Sequence, residues 1–239
     1  MALPALALIA ALACVVAAPA PSSAHVVLDR ARAGDMLEEV ARLHRTSDPD
    51  EIFRLGELAE AFAELLGQDA AAHGTLDLFG QLLSRRLEAY GVVIRCGERG
   101  GGCRYDHAAF REYLRVQPRG PRAADARFKI LADRFYGEGA PDPTERGPDA
   151  RRPVLEAIAE EERFVKEHPA HERAGQVRFF LAVHYFRASR LLAGAPHVEE
   201  YERRARRELE GVRARAPDSA EARAATVLLE RLADPARRR

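Results

Sequence analysis

The side chains able to do chemistry are few: three cysteines and eight histidines in 239 residues. Cys96 and Cys103 enclose six residues, four of them glycine, and His107 follows four positions later. In an exported chain an even pair of cysteines this close is most simply a disulfide, and closing so short a loop restricts the unfolded chain by about 2.5 kcal/mol. The competing reading is a metal site of Cys96, Cys103 and His107. It lacks paired C-x-x-C spacing and a fourth ligand. The glycines do not make a phosphate loop, because no G-K-[ST] follows them.

His168, His171 and His184 form a second cluster. The first two flank a turn at Pro169, where polar residues are ordinary, and His184 lies on a helix among Arg178, Arg187 and apolar neighbours. Exposed or singly hydrogen-bonded imidazoles account for all three. The run Arg203-Arg204-Ala205-Arg206-Arg207 would suit nucleic acid if it stood alone. Glu199, Glu200, Glu202, Glu208 and Glu210 surround it, so it reads as a solvated, ion-paired helix face. No hydrolase elbow, H-E-x-x-H pair, Walker loop or dinucleotide fingerprint occurs. The expectation is a non-enzymatic protein with no catalytic residue, metal, cofactor or small-molecule substrate assigned. The alternative is a metal-binding or enzymatic site of unfamiliar form near Cys96–His107.

With 37 acidic and 37 basic residues the chain is neutral, so bulk charge offers nothing to nucleic acid or anionic lipid. Lys129 and Lys166 are the only lysines, an arginine bias that goes with a GC-rich genome or a thermophilic ion-pair surface. Residues 1–24 carry no charge, and Leu3–Ala18 is an almost unbroken apolar run that ends in prolines and Ser22-Ser23-Ala24. That is the form of a secretory signal cleaved before His25, and the run is short for a spanning helix. Cys14 follows Ala11-Leu12-Ala13, which makes a lipid anchor the alternative. A soluble exported chain is preferred, because alanine stands where lipoprotein signals favour leucine. The expected location is the periplasm or cell envelope.

The elements that must position these groups are helices. Phe164–Arg190 reads as a helix end, a turn at Pro169 and a helix apolar on more than one side. Ala174, Val177, Leu181, Tyr185, Ala188 and Leu192 make one stripe, and Phe179, Phe180, Val183 and Phe186 an adjoining one. Such a helix needs partners on two sides. The pattern recurs, with Pro118, Pro169 and Pro217 spaced by 51 and 48 residues. Five residues after each proline stands Ala123, Ala174 or Ala222, ten after stands Phe128, Phe179 or Val227, and twelve after stands Ile130, Leu181 or Leu229. Five before stand Tyr113, Phe164 and Val212; eight before stand Phe110 and Leu209, but Glu161 in the middle copy, which leaves that helix less well covered. Proline suits a junction because it lacks the N–H that a helix interior requires.

The run P-A-H-E-R-A-G-Q-V-R-F-F-L-A-V-H-Y-F resembles the pattern P-x-x-x-x-A-x-x-A-x-Y-x-L-A-x-x-Y-Y of tetratricopeptide-like (TPR) repeats. Such repeats occur in the β-barrel-assembly lipoproteins and Tol-Pal-associated coordinators of the bacterial envelope. P-R-G-P-R-A-A-D-A-R-F-K-I-L-A-D-R-F-Y matches with one extra residue before Leu131, and P-D-S-A-E-A-R-A-A-T-V-L-L-E-R-L matches without its aromatics. The resemblance covers residues 105–233, with a period longer than the usual ~34. It implies an all-α fold of antiparallel helix pairs stacked as a right-handed solenoid, whose repeat core would be Phe110, Ala123, Phe128, Phe164, Ala174, Phe179, Leu181, Tyr185, Leu209, Ala222 and Leu229. It also implies a groove that takes a peptide or helix of another envelope protein, in outer-membrane assembly or cell-wall coordination.

The remaining layout is a signal peptide at 1–24, an N-terminal helical region at 25–104, an inserted loop at 137–152 and a basic tail at 234–239. The N-terminal region, a divergent repeat pair or a cap, divides into helices over Val26–His44, Pro49–Leu66 and Ala72–Tyr90. Asp48 caps the second and Gly67 stops it. Three further helices are expected at Val154–Glu167, Glu199–Ala214 and Ser219–Ala233. Export makes a direct prediction. The intact mass of the native protein will correspond to a chain starting at His25, and retention of Met1 or a diacylated Cys14 would refute it.

Overall fold

The computed structural model of the chain describes residues 30–97, 102–137, 148–192 and 197–233. The proposed leader with Cys14, the junction before His25, the middle of the inserted loop and the tail lie outside them. Among the described residues the fold is helical apart from one two-stranded sheet, in keeping with the all-α expectation. No described helix is long and apolar enough to cross a membrane. The described residues divide into two compact units, one formed by those up to 41 and within 59–105, the other by those within 42–58 and from 106 on.

The first unit is built from α1 (Arg30–Leu43), the later turns of α2 (Pro49–His73), α3 (Leu78–Ala89) and an antiparallel hairpin of β1 (Ile94–Cys96) and β2 (Cys103–Tyr105). Its buried side chains include Val40, Phe62, Leu66, Leu83, Leu87, Val92, Ile94 and Tyr105. Asp48 caps α2, accepting from the N–H of Asp50 and Glu51 at 2.8 and 3.2 Å. Gly67, however, does not end α2, which runs on to His73. A Cβ on Gly67 would stand 3.0 Å from the backbone nitrogen of Cys103, so this glycine admits the hairpin and leaves the helix intact. The stop falls at Gly74, whose φ of 77° is the left-handed conformation that glycine adopts without strain. The next helix accordingly starts later than the apolar pattern indicated, at Leu78, where Asp77 caps it by accepting from Gly80 N–H at 2.7 Å.

The second unit contains α4 (Ala108–Val116), α5 (Ala123–Gly137), α6 (Pro148–Glu167), α7 (Ala174–Leu191), α8 (Val198–Arg215) and α9 (Ala220–Ala233), together with the first turns of α2. Helix α6 takes in the last five residues of the expected inserted loop. It begins at a proline, which suits a first helical position because the missing N–H would be unsatisfied there. Each of α4–α9 packs on the next, and α7 also touches both α5 and α9. One apolar cluster runs through this unit, from Leu131, Val154 and Ile158 through Phe164, Phe179, Phe180 and Leu181 to Leu209, Val212, Leu228 and Leu232.

The three proline junctions share one backbone design. The residue before each proline donates its N–H four residues back, Gln117 to Tyr113, His168 to Phe164 and Ala216 to Val212. Three residues further on, Gly120, His171 and Ser219 donate to the carbonyls of Gln117, His168 and Ala216. The turn therefore repeats although its side chains do not. Of the residues expected in the repeat core, Phe110, Ala123, Phe164, Ala174, Phe179, Leu181, Tyr185, Leu209 and Ala222 are buried, while Phe128 and Leu229 are half-buried against the same core.

Leu181 is 3% exposed on the helix with the most neighbours in this unit. Leu181→Ala is expected to lose about 2–5 kcal/mol through lost transfer energy and the cavity left behind. Leu155→Ala, at a residue 38% exposed on α6, should lose no more than about 0.5 kcal/mol. Urea denaturation of both variants checks the ordering.

Candidate functional site

Cys96 and Cys103 are bonded to each other and sit directly opposite in the hairpin, in register with Ile94–Tyr105 at its other end. The sequence reading of this stretch as a glycine-rich loop missed the strands. Ile94 and Tyr105 are both buried, and pairing them draws the two cysteines opposite one another. The competing metal reading is corrected here, because thiols joined in a disulfide cannot act as thiolate ligands. His107 belongs to the other unit, in a left-handed conformation at the start of α4 with Nδ1 3.4 Å from Asp133 Oδ2. Among the described residues no three His, Cys, Asp or Glu side chains converge on a point that could hold a metal ion.

His168 and His171 are drawn into the α6–α7 turn. Arg127 on α5 reaches across it: one guanidinium nitrogen donates to Glu167 at 2.7 Å and to His168 Nε2 at 3.2 Å, the other to the Pro118 carbonyl at 3.1 Å. One arginine thus ties the first proline junction to the second. Partial burial, and then the Arg127 charge, pull the basicity of His168 below its ordinary value. His171 uses both ring nitrogens, Nε2 against Asp125 Oδ1 at 3.0 Å and Nδ1 accepting from the Arg173 N–H at 3.1 Å. A cavity of about 430 Å³ opens beside this brace, walled by Pro118, Pro121, Ala123, Arg127, Glu167 and His168.

The third histidine takes the singly hydrogen-bonded of the two expected forms, and takes it inside the core. His184 is only 5% exposed, and its Nδ1 lies 2.8 and 2.9 Å from the two carboxylate oxygens of Glu161. Glu161, the residue expected to leave its helix poorly covered, is itself 1% exposed. The position that takes Phe110 and Leu209 in the flanking copies takes a carboxylate here because α7 presents an imidazole to it. Burial pushes the Glu161 carboxyl above its usual range, against the downward pull of His184 and Arg134. The ring of Phe135 from α5 meets His184 edge to face at 5.6 Å and stacks on Phe180 at 4.2 Å, closing the pair off from that side. An acidic residue on an otherwise apolar stripe was the available signal; its partner 23 residues away was not visible at helical spacing.

A second polar chain links α6, α7 and α8. The Tyr185 hydroxyl donates to Glu162 at 2.5 Å, and Arg204 on α8 donates to the same carboxylate at 2.9 Å and to Glu200. Burial, and then the carboxylate, raise the Tyr185 phenol well above its ordinary value. Arg203 pairs with Glu199, Arg204 with Glu200 and Arg207 with Glu208, so these members of the charged run on α8 lie against acidic partners, as the sequence indicated, and Arg178 on α7 reaches Glu208 from the neighbouring helix. At the far end of α5, Tyr136 is 59% exposed, and its hydroxyl accepts from Gln176 on α7 at 3.1 Å. Its phenol is raised by burial and by the charge of Glu221 on α9.

Truncation tests which histidine matters to the fold. His184→Ala leaves a buried carboxylate without its partner and should cost about 3–5 kcal/mol. His171→Ala should cost less, because Asp125 remains 43% exposed and water can replace the ring. Denaturation midpoints of the two variants in the same buffer decide the order.

Compared with known proteins, the chain matches no family model, no curated protein and no solved structure.

Proposed function

We propose that this chain is a non-enzymatic binding or scaffolding module, exported to the cell envelope, whose TPR-like stack of helix pairs holds a peptide or helix of another envelope protein. The observation that carries the reading is the packing of α7. It touches α5 and α9 as well as α6 and α8, the set of neighbours that the middle helix of a stack requires. The shared backbone turn at Pro118, Pro169 and Pro217 supports a repeated unit. In this reading α5, α7 and α9, the helices that follow the prolines, line the groove in a right-handed solenoid. Tyr136 and Gln176 lie at one edge of it, and an exposed aromatic held by a neighbouring side chain suits an anchor for an incoming peptide.

Site-specific photocrosslinking in living cells tests this. A crosslinker replacing Tyr136 should give one discrete adduct with an envelope protein, and one replacing Arg206 on α8 should not. Equal labelling from both positions, or from neither, would remove the groove reading.

A further inference from the structure

We propose that Glu161 and His184 form a proton-operated latch between α6 and α7: a proton held between the two buried side chains locks the helices, and its loss leaves a bare carboxylate inside the stack. This goes beyond the binding role and does not depend on it. The geometry comes first. Both carboxylate oxygens lie within 2.9 Å of one imidazole nitrogen, and the two residues are 1% and 5% exposed. Water therefore contributes little to either charge, and the proton they share has the largest effect on the cost of burying them.

The neighbouring charges do not substitute for that proton. On α6, Glu160 is engaged by Arg134 of α5 at 2.8 Å, and Glu162 by Tyr185 of α7 and Arg204 of α8. Arg178 of α7 pairs with Glu208 of α8, and Glu221 of α9 acts on Tyr136. The ring of Phe135 covers His184 from α5. Arg134 lowers the Glu161 carboxyl and Glu160 raises it, both by less than burial and His184 do.

The sign follows from linkage. The folded-state carboxyl of Glu161 is raised, so the folded chain holds this proton more tightly than the unfolded chain does. The resulting stability is complete below the ordinary carboxyl range and is lost as pH rises through the raised value. Across that window one proton changes the unfolding constant by up to about tenfold per pH unit.

The experiment uses the full exported chain. Carbon-13 NMR of the glutamate carboxyls from about pH 4 to about pH 9 should find Glu161 titrating above the ordinary range near ~4.3. Urea unfolding over the same range should give a wild-type constant that grows severalfold towards alkaline pH. Glu161→Gln keeps the shape but cannot titrate, and should lose that part of the slope. Titration of Glu161 within the ordinary range, or an unchanged slope in Glu161→Gln, would overturn the latch. If Glu161→Gln does not fold, the wild-type carboxyl titration alone decides.

Discussion

Helix α7 is buried around most of its circumference. Of its eighteen residues, Ala174, Val177, Phe179, Phe180, Leu181, Ala182, His184, Tyr185, Ala188 and Ser189 are buried, and they span all but the sector of Gln176, Val183, Arg187 and Arg190, which are half-buried. A helix of this kind is stable only when more than one side is covered, and a buried phenylalanine or leucine contributes roughly 1.5–3 kcal/mol for being so. The surrounding helices of this unit answer that requirement: α6 and α8 lie to either side in sequence, while Phe135 and Tyr136 of α5 cover the phenylalanines. The proline junctions make the arrangement geometrically possible. Each ends one helix with the same backbone bond and starts the next within a few residues, so consecutive helices have to run back along one another.

Charge placed inside this apolar frame follows from the same constraint. Arginines are mostly held on the outside, where Arg204, Arg178 and Arg134 reach carboxylates on neighbouring helices and cover apolar surface with their stems. Exposed pairs of this sort are worth little each. The Glu161–His184 pair differs because both members are desolvated, so the interaction stabilises only while it is complete. A helical unit held together mainly by non-directional packing has here a buried contact that depends on geometry and protonation. Arg127 plays a related part at the first proline junction, where it satisfies the Pro118 carbonyl that the broken helix leaves open.

The first unit is small and depends on different means. Its hairpin is two three-residue strands, too short to persist in water unaided. The Cys96–Cys103 bond closes it, Ile94 and Tyr105 bury its other end, and Gly67 lets the backbone of Cys103 approach α2. Leu78 and Leu82 stay exposed on α3 while Leu83 and Leu87 turn inward, so only one stripe of that helix is used in the core.

The helical class of the fold, the proline junctions and the core alanines and aromatics were legible in the sequence, because they rest on local rules: apolar spacing near 3.6, proline's missing N–H, and caps such as Asp48. The pairing of Cys96 with Cys103 was legible for the same reason, being a matter of short spacing. What tertiary structure decided were contacts between segments distant in the chain. Gly67 looked like a helix stop because the hairpin that needs its missing Cβ lies more than thirty residues on. His184 read as either exposed or singly hydrogen-bonded because Arg178 and Arg187 stand near it in the chain, and Glu161 looked like a gap because its neighbours are charged. Neither residue makes sense alone, since burying one ionisable group is prohibitive and burying two that share a proton is not, and only the packing of α6 on α7 brings the two together.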